Sequence, residues 1–193
     1  MDVVEILEAA ALLVPEDVAT GNDFTASDVW DHLAHDAWEE ALCLLQESAD
    51  GWTAPADFWE RLGRAAQMPG FERSREWCWW RDTETRAGLV VRADLVLRPA
   101  GETFRRTPIP GGGVLRPMWD IGNRRRDGEP EWDIARVWVE FAPELRPGDR
   151  APVRLLPLDP SRWGHLVPGD RITLYECAEA GGTATVLEPR PPA

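Results

Sequence analysis

Lysine is absent: all 21 basic residues of the chain are Arg. Such a chain cannot supply the lysine of a Gly-x-x-x-x-Gly-Lys-Ser/Thr loop, and no such loop occurs, so nucleotide hydrolysis of that type is excluded. Cysteine is scarce: Cys43, Cys78 and Cys177 are widely spaced, odd in number and form no Cys-x-x-Cys pair. This fits a reducing cytosol rather than a disulfide framework, and the three read as small buried hydrophobes. No run approaches the roughly 18 apolar residues that a membrane helix needs. The opening Met-Asp-Val-Val-Glu has no basic stretch before its apolar run, so a signal peptide is not expected and the cytoplasm is. The missing Lys, beside plentiful Ala, Gly, Pro, Arg and Trp, suggests GC-rich coding of the actinobacterial kind.

Eleven Trp stand against a single Tyr. Indoles carry large apolar area and one N–H that needs a partner, so Trp clusters mean core or interface. At 193 residues and 44% hydrophobic composition the chain lies in the globular range. The net charge of −13 is uneven: residues 1–86 hold 19 acids against 6 Arg, whereas residues 87–193 hold 15 of each. Two modules are implied, an acidic helical domain over 1–86 and a second domain over 87–193. The acidic half repels nucleic acid and anionic lipid and attracts a basic protein.

Val3 to Val14 reads as a first helix, with Glu5 and Glu8 near its positive end and Pro15 as its stop. From Thr25 a long helix is expected, with Thr25 and Asp28 as a capping pair. Val29, Leu33, Ala37, Ala41 and Leu44 form its stripe, and Gly51 ends it. Thr53 to Gln67 reads as a third helix with Thr53 as cap and Pro55 in the first turn. In Phe71 to Arg86 the residues Trp77, Trp79 and Trp80 fit either a helix end or a strand, and a fourth helix is the preferred of the two. After Gly88 the sequence turns to β-rich runs around Val91–Leu97, Ile134–Phe141, Ala151–Leu158, Arg171–Glu176 and Thr183–Glu188, as in a sandwich or barrel. Pro-Gly-Asp-Arg occurs at Pro147 and again at Pro168, each leading into a strand, and Pro-Gly suits the centre of a type II turn.

In order, the second half shows the strand Val91–Leu97, Arg106-Thr107-Pro108, Arg116-Pro117, Pro147-Gly148-Asp149 and Asp159-Pro160. The strand Arg171–Glu176, Gly181-Gly182-Thr183 as the closing hairpin, and Ala184–Leu187 complete the series. Over about residues 88–188 this order resembles the C-terminal β-barrel of elongation factor Tu; the N-terminal helical part resembles no family we recognise. The resemblance implies an α+β chain in which a helical module precedes a six-stranded antiparallel β-barrel of the translation-factor type. It also implies a contact surface at Thr107, Pro108, Arg116 and Pro117. Leu115 stands where that family has an aromatic residue, Gly111 to Gly113 precede it, and Ala184 lies near a lost hairpin glycine; these departures count against a transfer-RNA contact.

His32 and His35 lie among Asp28, Asp31, Asp36 and Glu39, but one acidic helix produces such neighbours without a metal. Trp77, Trp79, Trp80 and Arg81 form an aromatic seam, read either as a hydrophobic joint or as a partner pocket. Arg124, Arg125 and Arg126 fit phosphate, yet Asp127, Glu129, Glu131 and Asp133 nearly cancel them. No catalytic residues, metal or cofactor are assigned. The expected function is a non-enzymatic protein-binding module in which Asp28, Asp31, Asp36, Glu39 and Glu40 meet a basic partner, in its specific form an immunity or antitoxin protein. One alternative is an accessory translation factor binding RNA or a translation protein through the barrel. Another is a hydrolase with a site at the helix–barrel joint, built on His32 or His165 beside an acid. DNA and membranes are not expected partners, and RNA is the less favoured one.

Overall fold

The structure, a computed structural model, describes residues 2–103 and 105–190. The chain divides between Arg86 and Ala87 into two compact units. Among the described residues the first unit holds five helices: α1 (Val3–Ala11), α2 (Ala26–Ala34), α3 (Trp38–Ser48), α4 (Ala56–Ala65) and α5 (Glu72–Arg86). None of them is long and apolar enough to cross a membrane.

Helix α1 begins in a capping box: the Asp2 N–H donates to the Glu5 carboxylate at 3.0 Å and the Glu5 N–H donates back to the Asp2 side chain, which also accepts from the Val3 N–H at 2.6 Å. It ends at Ala11, sooner than expected, because Leu13 and Val14 donate to Ala10 and Ala11 in tight three-residue turns of 3.0 and 3.1 Å ahead of Pro15. Helix α4 is capped by Pro55, not Thr53. A residue before proline is pushed out of the α region, so Ala54 cannot open the helix that a Thr53 cap requires. The core of this unit gathers Leu7, Leu42, Leu45, Phe58, Trp59 and Leu62, all at most 1% exposed. Burial of each such side chain stabilises the fold by about 1.5–3 kcal/mol. Phe58 meets Trp52 and Trp59 edge-on at 5.5 and 5.2 Å, and the Arg81 guanidinium lies 4.5 Å over the Trp59 ring.

The second unit holds β1 (Val90–Leu97), β2 (Ile109–Pro110), β3 (Met118–Asp120), β4 (Asp133–Val139), β5 (Glu144–Leu145), β6 (Arg150–Pro157), β7 (Arg171–Glu176) and β8 (Glu179–Arg190). Six of these close into an antiparallel barrel in the order β1-β6-β4-β3-β7-β8, with β8 returning to β1; β2 and β5 pair separately. The α+β architecture with a six-stranded antiparallel barrel is therefore present. Alternation sends Val91, Ala93 and Leu95 of β1 inward with Val137, Leu155 and Leu174. Trp119 and Trp163 fill the interior in a T-shaped pair at 6.4 Å. Contrary to expectation, their indole N–H groups find no acceptor among the described residues.

Both Pro-Gly-Asp turns are formed as expected. Gly148 and Gly169 take φ of 90° and 94°, and the i+3 amides of Asp149 and Asp170 donate to Arg146 and Val167 at 3.0 and 3.1 Å. The closing hairpin differs from expectation. Its turn is Cys177-Ala178, both left-handed at φ 49° and 67°, while Gly181 and Gly182 lie inside β8. The reason is a close approach: a Cβ on Gly182 would stand 2.7 Å from the Val96 carbonyl oxygen. Glycine serves there to let two strands meet, not to turn the chain.

On the barrel exterior, charges alternate across β8, β1, β6 and the turn that follows β4. Glu188 faces Arg92 at 3.5 Å, Arg92 reaches Glu140 at 2.9 Å, and Arg154 reaches the same carboxylate at 2.9 Å.

Candidate protein-binding surface

Helix α2 starts in the expected capping box. Asp28 accepts from the Thr25 N–H at 2.7 Å and from the Thr25 hydroxyl at 3.0 Å. The hydrogen bond from the Thr25 backbone, joined by that from its hydroxyl, holds the Asp28 carboxyl below its ordinary value. This carboxylate is engaged in ordering the helix.

The single helix expected from Thr25 to Gly51 is broken at residues 35–37. Asp36 is left-handed at φ 60°, its amide donates to Leu33 at 3.2 Å, and the Ala37 amide donates to His32 at 2.9 Å. These are the two crossed bonds of a Schellman stop, with Asp36 in the place glycine usually takes. The His35 ring adds to it: Nδ1 lies 2.7 Å from the Asp31 carbonyl oxygen. The break divides the predicted stripe. Val29 and Leu33 are buried from α2, Ala41, Leu42 and Leu45 from α3, and Ala37 and Leu44 are only half-buried.

The helical path restarts at Trp38 with Glu39 and Glu40 in the first turn, where the helix dipole favours them. Cys43 lies one turn further and Glu47 another. Partial burial pushes the Cys43 thiol up, and Glu47, Glu40 and Glu39 push it further, so the three carboxylates bear on one spot of the α3 surface. Asp31, Asp36, Glu39, Glu40 and Glu47 are all exposed, and none forms an ion pair among the described residues. Three of the six arginines of this unit pair with acids outside this set: Arg61 with Asp57 at 2.9 Å, Arg86 with Asp82 at 2.8 Å, and Arg81 with Glu84 at 3.1 Å. An uncompensated acidic surface therefore runs from the end of α2 along α3. Glu47 is a member of this surface that the sequence did not single out, although its spacing of four residues from Cys43 and eight from Glu39 was the available signal.

The other sequence-predicted residues are scattered. Trp80 is buried and its Nε1 donates to Glu84 at 2.5 Å, whereas Trp79 is 53% exposed and Trp77 half-buried, 5.2 Å from the Arg81 guanidinium. Only Cys78 fits the buried reading of the cysteines; Cys43 and Cys177 are exposed. A short α3 presents Cys43 outward beside its acids, and Cys177 occupies a hairpin tip. Burial raises the Cys78 thiol to about 12, although Gln46 Nε2 donates to its sulfur at 3.2 Å. On the barrel, Thr107 and Arg116 are exposed, Pro108 is half-buried and Pro117 is buried. Arg105 ties this region down: it pairs with Glu176 and donates to the Thr107 and Pro108 carbonyls at 2.9 and 3.1 Å.

The arginine-rich segment forms a hairpin between β3 and β4, closed by Arg125 and Glu129 backbone at 2.9 Å. Arg124 pairs with Asp120 at 2.8 Å, and Glu131 and Asp133 are taken by Arg162 rather than by the neighbouring arginines. His165 is exposed with Nε2 2.8 Å from the Ile121 carbonyl oxygen, and His32 is half-buried on α2. Among the described residues no three His, Cys, Asp or Glu side chains are placed to hold a metal ion. Compared with known proteins, the chain matches no family model and no curated sequence.

Proposed function

We propose that this chain is a non-enzymatic binding module whose acidic helical unit recognises a basic protein. The observation that carries this reading is the set of exposed carboxylates at Asp31, Asp36, Glu39, Glu40 and Glu47, none of them neutralised within the described residues. Unpaired surface acids cost self-repulsion, and a basic partner relieves that cost while gaining fast electrostatic encounter. Asp28 contributes to this surface by fixing the start of α2. In the finer form of the proposal the partner is a nuclease-like toxin and the acids stand in for the phosphates of its substrate. A barrel of the translation-factor type, the finer form of the observed barrel, serves as the scaffold.

The test is affinity capture from native lysate with the full chain and with the triple variant Glu39→Gln, Glu40→Gln and Glu47→Gln. The reading expects basic proteins recovered by the wild type, released by salt and lost to the variant. Recovery of the same set by both would refute it.

A further inference from the structure

We propose that the outer face of the barrel formed by β3, β4, β7, β8 and β1 is a second binding surface. Its occupant is an extended acidic peptide that carries an apolar anchor about four residues from a carboxylate. The proposal is independent of the acidic helical surface, since it uses only residues of the second unit.

Two adjoining features define this face. The first is an apolar band at one level of the barrel. Tyr175 of β7 registers with Met118 of β3, and Met118 with Ile134 of β4. The Leu158 amide then donates to the Ile134 carbonyl at 2.9 Å, extending the row. Trp132 stacks on Tyr175 at 5.4 Å and 24°. Alternation points these side chains away from the core side chains of Trp119 and Leu174, and Trp132, Ile134 and Leu158 are 40%, 40% and 55% exposed. Residues directly opposite on one face lie about 4.5–5.5 Å apart, so the row is continuous.

The second feature is a groove of about 630 Å³ that shares Tyr175 and is lined by Arg98, Arg171, Thr173, Thr183 and Thr185, among others. Thr173 registers with Thr183, and Arg171 with Thr185, which sets hydroxyls and guanidinium side by side. Among the described residues Arg171 forms no ion pair, and the Arg98 guanidinium makes only a 3.4 Å bond to the Ala180 carbonyl. Among the described residues no carboxylate lines the groove. The nearest by register, Asp94 opposite Thr185, is held by Arg150 at 2.6 Å, and Glu176 is held by Arg105.

Charge and shape together select the occupant. Two uncompensated guanidinium groups above free hydroxyls match a carboxylate, which arginine binds bidentately. The aromatic pair and its aliphatic neighbours match an apolar side chain, the usual centre of a protein contact. Arg171 and Tyr175 are four residues apart on one strand, about 13 Å, which an extended peptide spans in about four residues. The barrel is closed and offers no edge for an added strand, so recognition falls to side chains. A nucleic acid fits less well, since aliphatic Met118, Ile134 and Leu158 offer bases little to stack on.

The test is fluorescence anisotropy on the full chain with three labelled probes. One is a peptide pool with Asp or Glu at one position and Leu, Ile or Phe four residues later. The second is the same pool with Asn or Gln for the acid, and the third an oligouridylate. Saturable binding of the acidic pool is expected, weakened about tenfold or more by removal of the acid, by Arg171→Gln and by Trp132→Ala. Arg171→Gln alters an exposed side chain, and an unchanged circular dichroism melt confirms its fold. Absence of binding, equal binding by Arg171→Gln, or preference for the oligouridylate would each overturn the proposal.

Discussion

Cys43 reports the electrostatics of the acidic face from within it. Its thiol is pushed up by partial burial and then by Glu47, Glu40 and Glu39, so the reactive thiolate is disfavoured at neutral pH. Glu47→Gln removes one of these influences. Alkylation of Cys43 by iodoacetamide at pH 8, followed by mass spectrometry of its peptide, is expected to run faster in that variant than in the wild type. An unchanged rate would mean that Glu47 does not bear on this site. Asp36 offers a second test, because it holds the left-handed position of a helix stop without being glycine. Asp36→Gly is expected to stabilise the chain by about 1 kcal/mol through relief of that conformation, read as a higher urea midpoint. Asp36→Ala is expected to lower it. Neither residue could be assigned these roles from spacing alone: Cys43 looked like a small hydrophobe, and nothing but backbone geometry reveals that Asp36 is left-handed.

At the scale of elements, the helices and strands were largely legible because periodicity and punctuation agree. The five β-rich runs became β1, β4, β6, β7 and β8, and Pro-Gly-Asp formed its turns both times. The misses have local causes. Residues 25–51 show one unbroken helical pattern, yet a Schellman stop supported by the His35 ring ends α2 without any Gly or Pro. Strand β3 has only three residues, too few for alternation to stand out. Gly181-Gly182 reads as a turn, but Gly182 is required where β8 passes the Val96 carbonyl. Gly182→Ala is therefore expected to cost about 1–3 kcal/mol of barrel stability in chemical denaturation, since the obstructing atom is backbone and cannot rotate aside. At Gly164 an added methyl would meet nothing within 4 Å and the backbone φ is not positive, so Gly164→Ala serves as the control that leaves the midpoint in place.

For the whole molecule, the division of charge visible in the sequence acquires a structural meaning. Residues 1–86 carry the entire net charge of −13, and Asp31, Asp36, Glu39, Glu40 and Glu47 form no ion pair among the described residues. In the barrel unit, Asp94, Asp120, Glu131, Asp133, Glu140, Glu144, Glu176 and Glu188 are all ion-paired to arginine. The acidic candidate site was thus legible as composition, while its extent along α3 and the apolar band on the barrel depended on folding. Alternation alone cannot show that Tyr175, Met118, Ile134 and Leu158, drawn from four segments, share one level. The central claim is that exposed carboxylates on α2 and α3 drive association with a basic protein. Its most direct test is the association rate constant of the full chain with its captured partner, measured by surface plasmon resonance from 50 to 500 mM salt. The account predicts a fall of about tenfold or more across that range as screening shortens to a few ångströms, and a much flatter dependence for the triple Glu39, Glu40 and Glu47 glutamine variant. A rate indifferent to salt, or the same slope for both chains, would contradict it.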